Sequence, residues 1–315
     1  MNINNKDLGE LSIYRTEDGS ISLHSSSYQE RFHCASGALK EAQEKFLLPA
    51  HIEHFTSENR INILDVCVGM GYNSGCIIQE LVNNSIEFDW WGLEIDQRPI
   101  KISLNDPGFK SLWSIEVQDI LTSIKNKGNW NNKLNQGQIL WGDAREKISH
   151  IPLDKNFDLI LHDPFSPIKC PKLWTEEFIS NLAKKLSLGG ILITYSTAAA
   201  IRGSMRRSGL KLASQIPIKN SKRKWSNGTI GILTSSTLSK PKYDNCWSSL
   251  TLREEEHLLT KASVPYRDPS GFSTDESILQ HRLKEQKNSK LEPTSNWKTR
   301  WEETEQSQTS RFHAR

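Results

Sequence analysis

The sequence predicts an α/β protein: a mostly parallel, seven-stranded sheet with helices on both faces, a small N-terminal β/α extension and a helical C-terminal tail. Three observations carry that expectation. Apolar runs of strand length alternate with helical segments from residue 61 onward, as repeated βαβ units do. The first run, INILDVCV, passes through a glycine turn, GMGYNSG, straight into a helical stretch. Acidic residues, Asp65, Glu94 and Asp143, stand at the ends of three successive runs, where an open parallel sheet binds its ligands.

Residues 1–50 form the extension. LSIYRTEDGSISLHSS alternates apolar and polar residues around Asp18-Gly19 and reads as short strands and a turn. ASGALKEAQEKFLL places Leu39, Ala42, Phe46 and Leu47 near helical spacing, with Pro49 as the stop. Residues 51–240 hold the sheet. Its strands are INILDVCV, FDWWGLEI (88–95), GQILWGD (137–143), NFDLILHD (156–163) and ILITYS (191–196), closed by LKLASQI and TIGILTS. A helix over CPKLWTEEFISNLAKKL ends at Gly189-Gly190, and the short basic helix AAAIRGSMRRSG follows the fifth strand. Residues 241–315 form a Lys/Glu-rich helical tail with a compact turn, VPYRDPSG, and a Trp297/Trp301 pair; its end reads as disordered.

Composition narrows the class. The chain is 36% hydrophobic, and no run approaches the ~18 apolar residues of a membrane span. The N-terminal MNINNKDLGE lacks the apolar core of a signal peptide. Five scattered cysteines form no CxxC and no zinc-spaced pair with histidine. The expectation is a cytoplasmic, metal-free protein without a membrane partner. The net charge of +3 hides an asymmetry: Phe178 to Tyr243 contains no Asp or Glu but 12 Lys and Arg, leaving −9 on the remainder. Clustered cations are the electrostatic footprint of polyanion binding.

The glycine turn and the acidic strand ends point to one cofactor. Gly69 and Gly71 let the backbone approach a ligand closely, and Glu94, ending the next strand, suits two ribose hydroxyls. A dinucleotide brings a pyrophosphate and asks for a third glycine, where this chain has Ser74. An acidic cleft suits S-adenosylmethionine, whose ammonium, sulfonium, ribose and adenine amino groups all favour carboxylates.

These motifs resemble those of the MnmC-like methyltransferases over about residues 19–235. That family's cofactor loop is matched by Asp65-Val-Cys-Val-Gly69-Met-Gly71-Tyr-Asn73, with Cys67 where the family has its first glycine. Its long fourth-strand loop is matched by Asp163, Pro164, Phe165, Ser166, Pro167, Lys169, Pro171, Leu173 and Trp174. The resemblance implies a Rossmann-like class I S-adenosylmethionine-dependent methyltransferase. It would N-methylate the 5-aminomethyl group of (2-thio)uridine at the tRNA wobble position. The chain lacks the flavin-binding oxidase domain that some members carry fused, so the form implied is stand-alone, without flavin or metal. A separate enzyme would supply the aminomethyl-uridine.

Site residues follow. Asp163 is the expected catalytic residue, holding the substrate amine and carrying off its proton. Asp65, Gly69, Gly71, Asn73, Glu94 and Asp143 are expected at the cofactor. Pro164, Pro167 and Pro171 stiffen the loop. Pro164, Phe165, Lys169 and Trp174 are expected at the substrate, the aromatics stacking on a flipped base. Arg202, Arg206, Arg207, Lys222, Arg223 and Lys224 are expected on phosphates of the anticodon stem-loop. Two alternatives remain open on these residues: an aminopropyltransferase of the spermidine-synthase type, and a non-catalytic RNA-binding module on a methyltransferase fold.

Overall fold

The computed structural model describes residues 8–55, 60–217, 226–234 and 246–302. Three strands of the extension, β1 (Leu11–Arg15), β2 (Ile21–Ser25) and β3 (Glu30–Arg31), pair antiparallel in the order β1-β2-β3. The central sheet comprises β4 (Ile61–Val66), β5 (Phe88–Glu94), β6 (Asn129–Asn131), β7 (Asn135–Trp141), β8 (Phe157–His162), β9 (Leu186–Thr194), β10 (Lys211–Gln215), β11 (Thr229–Ile232) and β12 (Trp247–Ser249). Their order is β12-β10-β11-β9-β8-β4-β5-β7-β6. The five strands from β7 to β9 pair parallel, and β11 runs against them. The seven expected strands are all present. β6 and β12 are short additions at the edges, whose polar sequences NWN and WSS give little strand signal.

The chain starts this sheet in its middle. From β4 it steps outward through β5 to β7, then returns to β8 on the other side of β4. The strand order therefore reverses between β4 and β8, and a crevice opens at their C-terminal ends. Both strands are apolar runs because helices cover both faces. All seven residues of β5 are buried, as are the last four of β4 and of β8. The helices Tyr72–Asn83 and Ile115–Lys127 pack on one face with Trp90 and Phe109, while the helix Glu176–Lys184 packs on the other with Trp174. Ser114 caps the helix Ile115–Lys127 by accepting from Val117 N, and Gly128 ends it at φ +76°.

Two expected boundaries shift. Gly189-Gly190 does not end the helix, which stops at Lys184; both glycines lie inside β9. Gly189 takes φ +89° and donates to Leu233 O at 2.7 Å, so the pair marks an irregularity near the start of a strand. Pro49 does not stop its helix either. Ala38–Ala42 continues through a π-helical stretch, Gln43–Leu47, into Leu48–Ala50. A proline removes one i→i−4 hydrogen bond, and the wider turn before it absorbs the mismatch.

One buried ion pair fastens the tail to the sheet. Arg202, on the helix Ala199–Arg207, is 1% exposed and bonds Glu254 Oε1 (2.8 Å), Thr229 Oγ1 (2.8 Å), Ser226 Oγ (3.0 Å) and Gly228 O (3.2 Å). Glu254 also completes a capping box with Thr251 at the start of the helix Leu252–His257. Beyond it lie a helix Asp275–Asn288 and another over 294–302. The expected disorder at the chain end falls on 303–315, outside the described residues. Among the described residues no helix is long and apolar enough to cross a membrane.

Removing one partner of this pair strands the other charge. Arg202→Ala should cost about 3–5 kcal/mol in urea unfolding. The double variant Arg202→Met with Glu254→Met should lose less than the two single variants together.

Candidate active site

The cleft is a cavity of about 610 Å³ at the C-terminal ends of β4, β5 and β8, roofed by the N-terminal extension. After β4 the chain turns through Cys67, Gly69 and Gly71, with φ of +69°, +55° and +86°. Glycine enters that region freely; for Cys67 it costs on the order of 1–2 kcal/mol. Cys67 N is held there by Leu93 O at 2.9 Å, and burial pushes its thiol pKa well up.

Glu94, ending β5, answers this turn. Its Oε2 accepts from Gly69 N at 2.8 Å, and its Oε1 from the amides of Ile95 (2.6 Å) and Asp96 (2.8 Å). Burial pushes its carboxyl up to about 7, against the pull of those three donors. Gly69 and Glu94 line the cavity; Asp65, Gly71 and Asn73 do not, and instead shape the turn from behind. Asp65 is fully buried and accepts from Ser74 Oγ at 2.5 Å, with its pKa raised to about 7 by burial. Gly71 begins the helix Tyr72–Asn83. Asn73 Nδ2 donates to Asp163 Oδ2 at 2.8 Å, tying the turn to the next strand. Asp143 reaches the end of β7 but is committed elsewhere. It caps the helix Ala144–Lys147 and binds Arg145 at 2.8 Å, which holds its pKa low.

Asp163 follows β8 and opens partly into the cavity. Burial and the neighbouring Glu41 raise its pKa well above the usual carboxylate range, against Asn73 and Lys45. The loop after it is tied down at each step. Tyr195 Oη donates to Pro164 O at 2.9 Å. Ser166 N and Oγ both donate to Glu30 Oε2 at 2.9 Å. Phe165 lines the cavity with its ring stacked on Tyr28 at 4.4 Å and Phe32 edge-on at 5.0 Å. Lys169 is exposed on the outer turn of the loop and does not line the cavity.

Several expected substrate residues are corrected. Trp174 is 0% exposed, packs against His162 and Tyr195, and donates to Phe165 O at 2.7 Å. It holds the loop from inside and offers no face to a base. Arg202 is the core ion pair described above and reaches no phosphate. Arg206 pairs with Glu255 at 2.8 Å and Arg207 with Glu176 at 2.6 Å. Their helix returns the chain from the cleft end of β9 to the start of β10, which runs parallel to β9. The last turn is thus carried away from the cleft. Lys222, Arg223 and Lys224 lie outside the described residues.

The extension supplies what the motifs did not. Phe32 approaches Gly69, and a Cβ built there would stand 3.6 Å from its ring. Glu41 and Lys45, one turn apart and ion-paired, line the cavity beside Asp163. His33 lines it too, bonded to Ser22 Oγ at 2.9 Å and kept neutral by burial, with its pKa pushed down to about 4. In the sequence His33 could cover the site from the N-terminal side, whereas Glu41 and Lys45 lie on the polar side of the helix in ALKEAQEK, an ordinary solvated face by pattern.

A glycine turn offering backbone N–H groups, the strand-end Glu94 and the carboxyl of Asp163 across the cleft suit S-adenosylmethionine. A family model described as S-adenosyl-L-methionine-dependent methyltransferase matches residues 107–230. The crystal structure of MnmC2 from Aquifex aeolicus superimposes with a TM-score of 0.73 at 26% identity, covering 89% of this chain and 86% of that one. An uncharacterized protein of Methanocaldococcus jannaschii is 29% identical over 86% of this chain and 71% of its own length. The bifunctional tRNA 5-methylaminomethyl-2-thiouridine biosynthesis protein MnmC of an Azoarcus species is 26% identical over 64% of this chain. This chain aligns to about a third of that relative's length, 33%. The fold and cleft are those of a class I S-adenosylmethionine-dependent methyltransferase. Within that class, the chain is similar to the MnmC-type methyltransferases.

Glu94 would accept ribose hydroxyls best as the carboxylate. Its raised pKa means that form is lost as pH falls through about 7, so calorimetry should find S-adenosylmethionine binding tightening several-fold from pH 6 to 8. Glu94→Ala should weaken binding by on the order of 1.5–3 kcal/mol and flatten that pH dependence.

Proposed function

We propose that the chain N-methylates the 5-aminomethyl group of (2-thio)uridine at the wobble position of tRNA, giving 5-methylaminomethyl-(2-thio)uridine. The observation that carries this reading is Asp163, fixed by Asn73 and facing the same cavity as Gly69 and Glu94. The relatives named for 5-methylaminomethyl-2-thiouridine biosynthesis support it. The substrate would be the anticodon stem-loop, in the cytoplasm, after a separate enzyme has made the aminomethyl-uridine.

Bound S-adenosylmethionine supplies an electrophilic sulfonium methyl. The chain's residues must present a neutral amine to it, whereas a free alkylamine has a pKa of about 10. An anion beside the amine favours the ammonium, so Asp163 does not by itself deprotonate it. Asp163 accepts a hydrogen bond from the amine, aims its lone pair and takes the departing proton. A carboxyl with a raised pKa holds that proton better than an ordinary aspartate. Asn73 fixes one Asp163 oxygen, Tyr195 fixes the Pro164 carbonyl, and Phe165 with Tyr28 and Phe32 walls the site against water. Most of the acceleration comes from such positioning.

Asp163→Ala should abolish methyl transfer while leaving S-adenosylmethionine affinity within about twofold, because the lost contact is made to the substrate. Normal turnover would remove Asp163 from this role. In cells lacking the protein, nucleoside mass spectrometry of tRNA should find 5-aminomethyl-uridine accumulating; an unchanged wobble position would sink the reading.

A further inference from the structure

We propose that the outer face of the β1–β3 sheet is a phosphate-binding groove, holding the RNA backbone beside the nucleotide inserted in the cleft. The inference rests on the RNA substrate proposed above and assigns its docking surface to the extension, away from the carboxylate-free segment.

A second cavity of about 480 Å³ lies against β1 and β3. His24, Arg31 and Ala35 line both it and the cleft, so the two are neighbours. Arg31 is at their junction, opposite His24 in the β2–β3 pairing. Its guanidinium lies 4.9 Å over the Tyr14 ring, and Tyr14 is fixed by donating to His33 O at 2.9 Å. Stacking on an aromatic face holds a guanidinium flat and leaves its edge N–H groups free for a planar or tetrahedral anion. Among the described residues no carboxylate pairs with Arg31. Arg15 lines the same groove; its side chain is 62% exposed, donates to Gly19 O at 3.1 Å and pairs with Asp106 at 3.2 Å. Glu17 is the single carboxylate of the lining, and with Arg15 paired to Asp106 the cation it leaves without a carboxylate among the described residues is Arg31.

The position distinguishes this groove from the basic helix Ala199–Arg207. Arg206 and Arg207 are matched by Glu255 and Glu176 and lie away from the cleft, whereas Arg31 borders the cavity that contains Asp163. A nucleotide whose base enters the cleft would leave its flanking phosphates at this rim. Phosphate contacts position without reading sequence.

The test uses the full-length protein and an anticodon stem-loop RNA, with binding read by fluorescence anisotropy across a salt series and turnover read on tRNA. Arg31→Glu should raise KM for tRNA at least fivefold and weaken stem-loop binding. It should also shrink the slope of log K against log salt by about 0.7–0.9 per lost phosphate contact. Calorimetry with S-adenosylmethionine should give the wild-type affinity, which checks folding. Arg31→Gln, a milder change at an exposed position, should move the same quantities in the same direction by less. A wild-type enzyme that methylates tRNA, with Arg31 variants unchanged in KM and salt slope, overturns the groove and leaves the proposed function standing. A wild-type protein that neither binds the stem-loop nor methylates tRNA overturns both.

Discussion

The cleft depends on one carboxylate satisfying three backbone donors. The turn that sends residues 67, 69 and 71 to positive φ leaves Gly69 N facing Glu94, beside the amides of Ile95 and Asp96 after β5, and an unpaired buried N–H costs roughly 1–3 kcal/mol. Glu94 removes that cost by accepting from Gly69, Ile95 and Asp96 together. The same contacts lock the loop after β4 to the loop after β5. Asn73, in the first turn of the following helix, then fixes Asp163 after β8. Ser166 carries the connection on to Glu30 in the extension. Three strand ends and the roof thus form one hydrogen-bonded chain, and a shift in any member is felt at the reacting end.

Legibility followed the range of the interactions. The sheet could be read because each strand is buried on both faces and so appears as an apolar run. The cleft could be read where a residue's place follows from its strand: Gly69, Glu94, Asp163 and Phe165 all face the cavity. Reading failed where partners lie far apart in the chain. The basic segment looked like an exposed cationic surface because it contains no carboxylate. Its three described arginines draw theirs from outside it: Arg202 from Glu254, Arg206 from Glu255 and Arg207 from Glu176. Trp174 looked like a stacking platform because a loop aromatic is usually exposed. Its indole instead fills the space under the loop and binds Phe165 O. Glu41 and Lys45 carry no motif, since only the tertiary path of their helix turns an ordinary polar face inward.

The extension is therefore a wall of the site. Arg98 grips the carbonyls of Leu8 and Gly9 at 3.2 and 2.6 Å while held by Asp96, beside the cofactor turn. Glu30 grips the loop after β8, and Tyr28 and Phe32 enclose Phe165. The π-helical stretch before Pro49 belongs to the same arrangement, since Lys45 stands within it. That helix brings a paired carboxylate and ammonium beside Asp163 without adding net charge there.

The distribution of charge along the path into the cleft gives the proposed chemistry a further rationale. Inside are Glu94, Asp96, Asp163 and Glu41, against Lys45 alone among lysines and arginines deep in the cavity. At the rim is Arg31, and beyond it Arg15. A small cationic substrate would be drawn to the interior and repelled at the rim; a plain polyanion would meet the opposite. A polyanion that carries one amine on a base matches both regions in sequence, its backbone held outside and its ammonium directed inward. Desolvation on entry then disfavours the ammonium, so closing the base into the cleft itself moves the amine toward the neutral form that methyl transfer requires.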